Sequence, residues 1–324
     1  MASDQEQELT ARRARIEPSD LRLRHGRRYQ RIRRAVLAGS VLALFVVPLW
    51  YLRSVSVQSA GLSGDGRWAR LADQLGLPSA PPPWLGAPWS VRAFGLEFLD
   101  PVALLGLVAT RAVTPASLVG ALPTLLLVVL LGRFFCGWLC PYLPVLAVSN
   151  AVRGLLRKLG WRPPDLALPR RTHLYVLAAG LLATAISGAQ LLPLFYPPSV
   201  IGREIFRAVF YGSFGVGAGL ILLAFVFDTL VSRSGFCRHL CPGGATFALL
   251  GLASRLKVRR TVSACTNCTA CDAVCNLMQQ PMTDRLDSGC ERCGKCVAVC
   301  PTGALRVGFV PRAGDGPIEP GGGP

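Results

Sequence analysis

Apolar residues run in four long blocks along this 324-residue chain, at about 35–52, 116–135, 173–192 and 213–231. None carries more than one charge away from its ends. A helix needs roughly 20 mostly apolar residues to cross a bilayer. The pattern therefore predicts four transmembrane helices. After each of the second and fourth blocks an amphipathic surface helix is expected. In the first of these, Val148, Val152, Leu155, Leu156 and Leu159 share one face, with Arg153, Arg157 and Lys158 opposite.

The intervening stretches differ in kind. Residues 1–34 are polar and arginine-rich, expected as a partly ordered cytoplasmic segment or a surface helix. Residues 53–115 form an external connection. Its proline-rich centre at 81–89 cannot be helical, and Trp84 and Trp89 suit a lipid–water boundary. Residues 101–110 read as a short interfacial helix. The membrane part spans 35–260, a small cysteine-rich α+β domain 261–308, and a Gly/Pro-rich tail, expected to be disordered, 309–324. The fold class is mainly α.

The chain repeats itself. A block, then Phe-Cys-x-x-Leu-Cys-Pro, then an apolar helix ending in basic residues occurs at about 116–160 and again at 213–260. Parallel repeats of this kind imply a pseudo-twofold axis along the membrane normal, bringing the two motifs together at one depth. Gly215-x-Gly217-x-Gly219 follows no strand and opens an apolar block, so it reads as close helix packing rather than a nucleotide site.

Charge orients this plan. Ten arginines precede the first block, seven basic residues lie between the second and third, and eleven follow Ser232. Together they make 28 of the 35 basic residues, all on one side of the predicted topology. Excess Lys and Arg mark the cytoplasmic face. Both termini are expected there, in a multi-pass protein of the bacterial inner membrane. The net charge of +17 thus answers to topology and anionic lipid rather than to nucleic acid. A composition that is 51% apolar agrees.

All twelve cysteines fall in four motifs, on the same predicted side. Disulfides are rare in that compartment. Cys265-x2-Cys268-x2-Cys271-x3-Cys275 and Cys290-x2-Cys293-x2-Cys296-x3-Cys300-Pro301 have the bacterial ferredoxin spacing. In two-cluster ferredoxins the fourth cysteine of each run serves the other cluster. That assigns Cys265, Cys268, Cys271 and Cys300 to one [4Fe-4S] cluster, and Cys290, Cys293, Cys296 and Cys275 to a second. Two complete runs favour this over zinc. Asn276 stands where proline usually follows, without removing a ligand.

Cys136, Cys140, Cys237 and Cys241 form the two Cys-x3-Cys-Pro motifs. Four such sulfurs suit a third cluster, a soft metal or thiol redox exchange; the alternative is packing without a cofactor. His239 is a ligand, a proton group or a hydrogen-bonded structural histidine. Asp228, an intramembrane carboxylate, is either a proton group near quinol or an ion pair with Arg133.

These motifs resemble those of the NapH/MauN family of membrane ferredoxin-type proteins. The resemblance runs from the first block to about residue 308. It is carried most by Arg133-Phe-Phe-Cys-Gly-Trp-Leu-Cys-Pro141, Pro198-Ser-Val-Ile-Gly-Arg203, and Phe227-Asp228 through Cys241-Pro242-Gly-Gly-Ala245. It implies an electron-transfer subunit of a quinol dehydrogenase rather than a stand-alone enzyme. Such a subunit relays electrons from membrane quinol towards a periplasmic reductase, of nitrate reductase type, with a partner iron–sulfur protein. The contrasting readings are an assembly factor that reduces or delivers metal to a periplasmic metalloenzyme, and a scaffold between periplasmic and cytoplasmic partners.

Overall fold

The computed structural model describes residues 20–58, 74–75, 84–87, 90–93 and 96–309, apart from 167, 170 and 284–288. The expectations for residues 1–19, for Pro81–Pro83 and for the tail lie outside these residues. The described chain is mainly helical.

The first helix, Asp20–Gln58, begins well before its apolar block. From residue 20, the expected polar segment is therefore continuous with the first apolar block as one helix. Its stretch Gly26–Leu52 is the one helix, among the described residues, long and apolar enough to cross a membrane. The helices of the other three apolar blocks, Pro115–Leu131, Thr172–Ser187 and Val216–Val231, are shorter. Seventeen residues reach only about 25 Å at about 1.5 Å each, short of a core about 30 Å thick. Each has a local reason to stop. Gly132 and Gly188 end the first two with φ of 65° and 66°, and the third loses α geometry to a π turn at Phe227–Val231.

The stretch between the first two apolar blocks holds strands that the hydropathy pattern does not reveal. β1 (Trp84–Ala87), β2 (Ser90–Ala93) and β3 (Leu96–Phe98) form an antiparallel meander with Trp84 opposite Ala93. Proline bars a helix here but permits short strands beside it. The expected short helix follows at Pro101–Ala109, capped by the Asp100 carboxylate, which accepts a 2.6 Å bond from the Val102 N–H.

The repeat is visible in the packing. The first copy runs through Pro115–Leu131, Phe134–Trp138 and Tyr142–Lys158. The second runs through Val216–Val231, Phe236–Leu240 and Pro242–Leu250. The last helix of the first copy packs on the π turn of the second, and the last helix of the second packs on the first helix of the first copy. Such an exchange is what a twofold relation produces.

The helices after the two motifs depart from the surface-helix expectation. Pro242–Leu250 is core, buried from Pro242 through Ala248, because Gly243, Gly244, Ala245 and Ala248 let neighbours approach closely. On Tyr142–Lys158, Val148 and Leu155 do face outward. Arg153, however, turns inward and is only 2% exposed. Its guanidinium donates to the carbonyls of Thr229 (2.9 Å), Pro163 (3.2 Å) and Pro164 (2.8 Å). Unpaired helix-end and turn carbonyls are strong acceptors for a buried cation.

The cysteine-rich unit is small. β4 (Leu256–Arg260) pairs antiparallel with β5 (Leu305–Phe309), with Leu256 opposite Phe309. Two short helices, Ala270–Val274 and Lys295–Val299, pack against each other beneath them.

Candidate iron–sulfur centres

The two ferredoxin-type runs adopt the same winding. Asn267 and Thr269 have φ of 52° and 57°; the equivalent Arg292 and Gly294 have 48° and 67°. Left-handed residues at matching positions coil each loop so that successive cysteines turn to one side. Cys265, Cys268, Cys271 and Cys300 line one enclosed cavity, with Thr266, Thr269 and Thr302 around it. The fourth cysteine of the second run thus joins the first three of the first. Reciprocally, Cys275 lies within electrostatic reach of Cys290 and Cys296, and Cys293 within reach of Cys296. Burial pushes the thiols of Cys271 and Cys275 up to about 11. Metal loading must therefore displace protons from them.

The four cysteines of the Cys-x3-Cys-Pro motifs also gather. Cys241 belongs to the main core, with Cys136 and Cys140 packed against it; Cys237 and Cys140 border a neighbouring cluster. Cys237 is within electrostatic reach of the other three. Both motifs close with the same wide turn: the Cys140 N–H donates to Phe135 O (3.1 Å), and the Cys241 N–H to Phe236 O (2.9 Å). Such five-residue turns are typical of functional sites. Proline follows each because that position needs no N–H donor. Burial, reinforced by Cys136, pushes the Cys241 thiol up to about 12.

Among the described residues, no group of three or more His, Cys, Asp or Glu side chains converges as a single bound ion requires. A cubane makes no such demand, because each thiolate binds its own corner iron. The donor set fits it: four cysteines are assigned to each site.

The cysteine-rich unit is seated on the first motif. Carbonyls of its second run accept from Arg133 (Gly289, 3.3 Å), Tyr29 (Arg292, 2.8 Å), Trp138 (Arg292, 3.3 Å) and Gln30 (Cys293, 2.6 Å). Arg33 in turn donates to Gly137 O at 2.6 Å. Gly137, between Cys136 and Trp138, permits this seating, since a Cβ there would collide with Glu291 O. Gly26 plays the same part upstream, with Ala298 Cα 2.9 Å from where a Cβ would stand.

Asp228 and Arg133 are each buried, and they do not pair. Asp228 Oδ1 accepts from the Phe236 N–H and Oδ2 from the Tyr142 hydroxyl, both at 2.8 Å. One carboxylate thereby ties the residue before Cys237 to a residue just after Cys140. Arg133 instead reaches Gly289 O and Cys237 O (3.4 Å), with Cys136, Glu291 and Cys241 as its titratable neighbours. It is a cation set among thiols. His239 is buried, and neither ring nitrogen has a hydrogen-bond partner among the described residues. That corrects the hydrogen-bonded reading. Burial, with Arg238 and His173 nearby, pushes it down to about 4, so it is neutral at pH 7. Tyr142 carries a part of this site that side-chain chemistry alone did not flag; its only sequence signal is that it follows the first motif, whereas Trp138 lies inside that motif.

Comparison with known proteins follows this geometry. Residues 113–160 and 214–261, the two repeat copies, match a family model described as a 4Fe-4S binding domain. Residues 287–306 match a second model of that description. The methylamine utilization ferredoxin-type protein MauN of Methylorubrum extorquens is 40% identical over 187 residues, 56% of this chain and 61% of that protein. The ferredoxin-type protein NapH of Haemophilus influenzae is 32% identical over 194 residues, 58% and 64% respectively. The putative electron transport protein YccM of Escherichia coli is 31% identical over 153 residues, 45% and 42%. The chain spans about three-fifths of the length of the MauN and NapH proteins it matches. No solved structure matches. This chain is thus similar to the ferredoxin-type proteins MauN and NapH over somewhat more than half of its length, and three of its segments match 4Fe-4S binding domains.

Proposed function

We propose that this chain is a four-span membrane protein that takes electrons from quinol and passes them towards a periplasmic reductase of nitrate reductase type, as one subunit of a quinol dehydrogenase. The observation that carries the reading is the adjacency of its cysteine sets. Cys136 stands within electrostatic reach of Glu291 and Arg292, inside the second ferredoxin-type run. The membrane-edge thiols thus lie between the apolar helices and that run.

Two further features support the membrane reading. The shorter helices present large apolar side chains outward, including Ile186 at 78% and Val216 at 84% exposure. Water-facing surfaces do not carry such continuous apolar bands. The basic residues also collect on one side of the predicted topology.

Iron–sulfur clusters bound at these cysteines would supply one-electron relay stations. Two sites would use the assigned ferredoxin sets, and a third Cys136, Cys140, Cys237 and Cys241. The residues around them do the rest. Arg133 offsets negative charge at the membrane-edge site, Asp228 fixes the second motif against the first, and Gly137 keeps the two regions in contact.

Expressed in a bacterial host, the chain should stay in the membrane pellet after alkaline carbonate washing. Reporter fusions at both termini should report from the cytoplasm. Release by carbonate, or a terminus outside, would overturn the four-span reading.

A further inference from the structure

We propose that the cleft between the first helix and the cysteine-rich unit binds one anionic phospholipid, headgroup first. The cleft measures about 960 Å³, at the upper end of the range of about 300–1,000 Å³ usual for ligand sites. Its lining is divided by chemistry along its length. At one end stand Arg33, Arg34 and Lys295 with the amides of Gln30 and Asn276. At the other, Leu37, Val41, Leu42 and Phe45 of the first helix face Leu143 and Ala147 across an apolar trough.

Three cations and no carboxylate line this space. That balance calls for an anion. Existing bonds leave donors to spare. Lys295 gives one proton to Asn276 Oδ1 at 3.0 Å and keeps two of its three. Arg34 is exposed at the rim. The depth is also right: Arg34 is the last charge before the apolar block of the first helix, where headgroup phosphates lie if that block crosses the bilayer. An acyl chain would then follow Leu37 to Phe45, of which Leu42 and Phe45 are exposed.

Quinol fits this cleft less well. A hydroquinone needs a base to accept its protons, and no carboxylate or histidine lines the cleft. A lipid here would clamp helix Lys295–Val299, which carries Cys296, against the first helix. The inference rests on the membrane reading above, whose own failure would appear separately as release by carbonate.

The test uses the full chain, delipidated in detergent, titrated with phosphatidylglycerol or phosphatidylcholine of matched chains and read by native mass spectrometry. One phosphatidylglycerol should bind, at least about fivefold more tightly than phosphatidylcholine. Arg34→Gln and Lys295→Gln should each weaken it about fivefold, the loss of about one cation's attraction, while leaving phosphatidylcholine unchanged. Lys295 adjoins a cysteine, so visible absorbance checks that the iron–sulfur content survives. Ala38→Trp, on the first helix away from the cysteines, should block the trough independently. Arg31→Gln, outside the cleft, should have no effect. Equal binding of the two lipids would overturn the proposal. So would phosphatidylglycerol binding that all three cleft variants leave intact, its displacement by a short-chain quinol analogue, or equal competition by glycerol phosphate.

Discussion

Replacing Cys136 and Cys237 together by serine should remove about four iron atoms, lowering the anaerobically purified chain from about twelve to about eight. The four thiols of the Cys-x3-Cys-Pro motifs are mutually close, half-buried or buried, and closed by the same wide turn. Loss of one ligand from each motif leaves two thiols, too few to hold a cubane. The ferredoxin-type sets lie in a separate unit with its own core, so their electron paramagnetic resonance signals should persist. Iron analysis with that spectrum checks the outcome. An unchanged count near eight in both proteins would mean that the membrane-edge thiols hold no cluster.

The second large effect is expected at a residue without a side chain. In Gly137→Val the new Cβ meets the Glu291 carbonyl, which is backbone and has no rotamer to yield. Overpacking of this kind costs about 1–3 kcal/mol, and the middle of that range, about 2 kcal/mol, shifts a docking equilibrium by more than about tenfold. The bonds from Arg33, Trp138 and Arg133 converge on the same seam and should loosen with it. Dithionite, which reaches clusters from solution, should still reduce the variant fully. Reduction by a quinol analogue should slow at least about tenfold. Equal slowing with both reductants would point to lost clusters instead of lost contact.

Particular residues mark how far the sequence can be read unaided. Cysteine spacing carries its own geometry, so it proposes the grouping of Cys300 with Cys265, Cys268 and Cys271; these four also line one cavity. The internal repeat was legible too, because both copies keep the same Phe, Cys, Leu, Cys and Pro positions. Partners set by tertiary packing were not. Asp228 and Arg133 sit in comparable places and have opposite charge, yet the first bonds Tyr142 and the second faces thiols. Helical periodicity put Arg153 on a polar outer face, whereas buried carbonyls from another segment draw it inward. The helix ends moved for local reasons that hydropathy does not sense: a positive φ at Gly132 and Gly188, and a π turn at Phe227. The strands between residues 84 and 98 are three or four residues long, too short to establish an alternating pattern.

The most direct test of the account is a single-turnover reduction. The oxidised full chain, reconstituted anaerobically in lipid nanodiscs, is mixed with a quinol analogue and followed by the bleaching of iron–sulfur absorbance. The account predicts prompt bleaching, with quinone formed in proportion to the electrons taken up. Clusters that dithionite reduces but quinol does not, and that quinone cannot reoxidise, would contradict it.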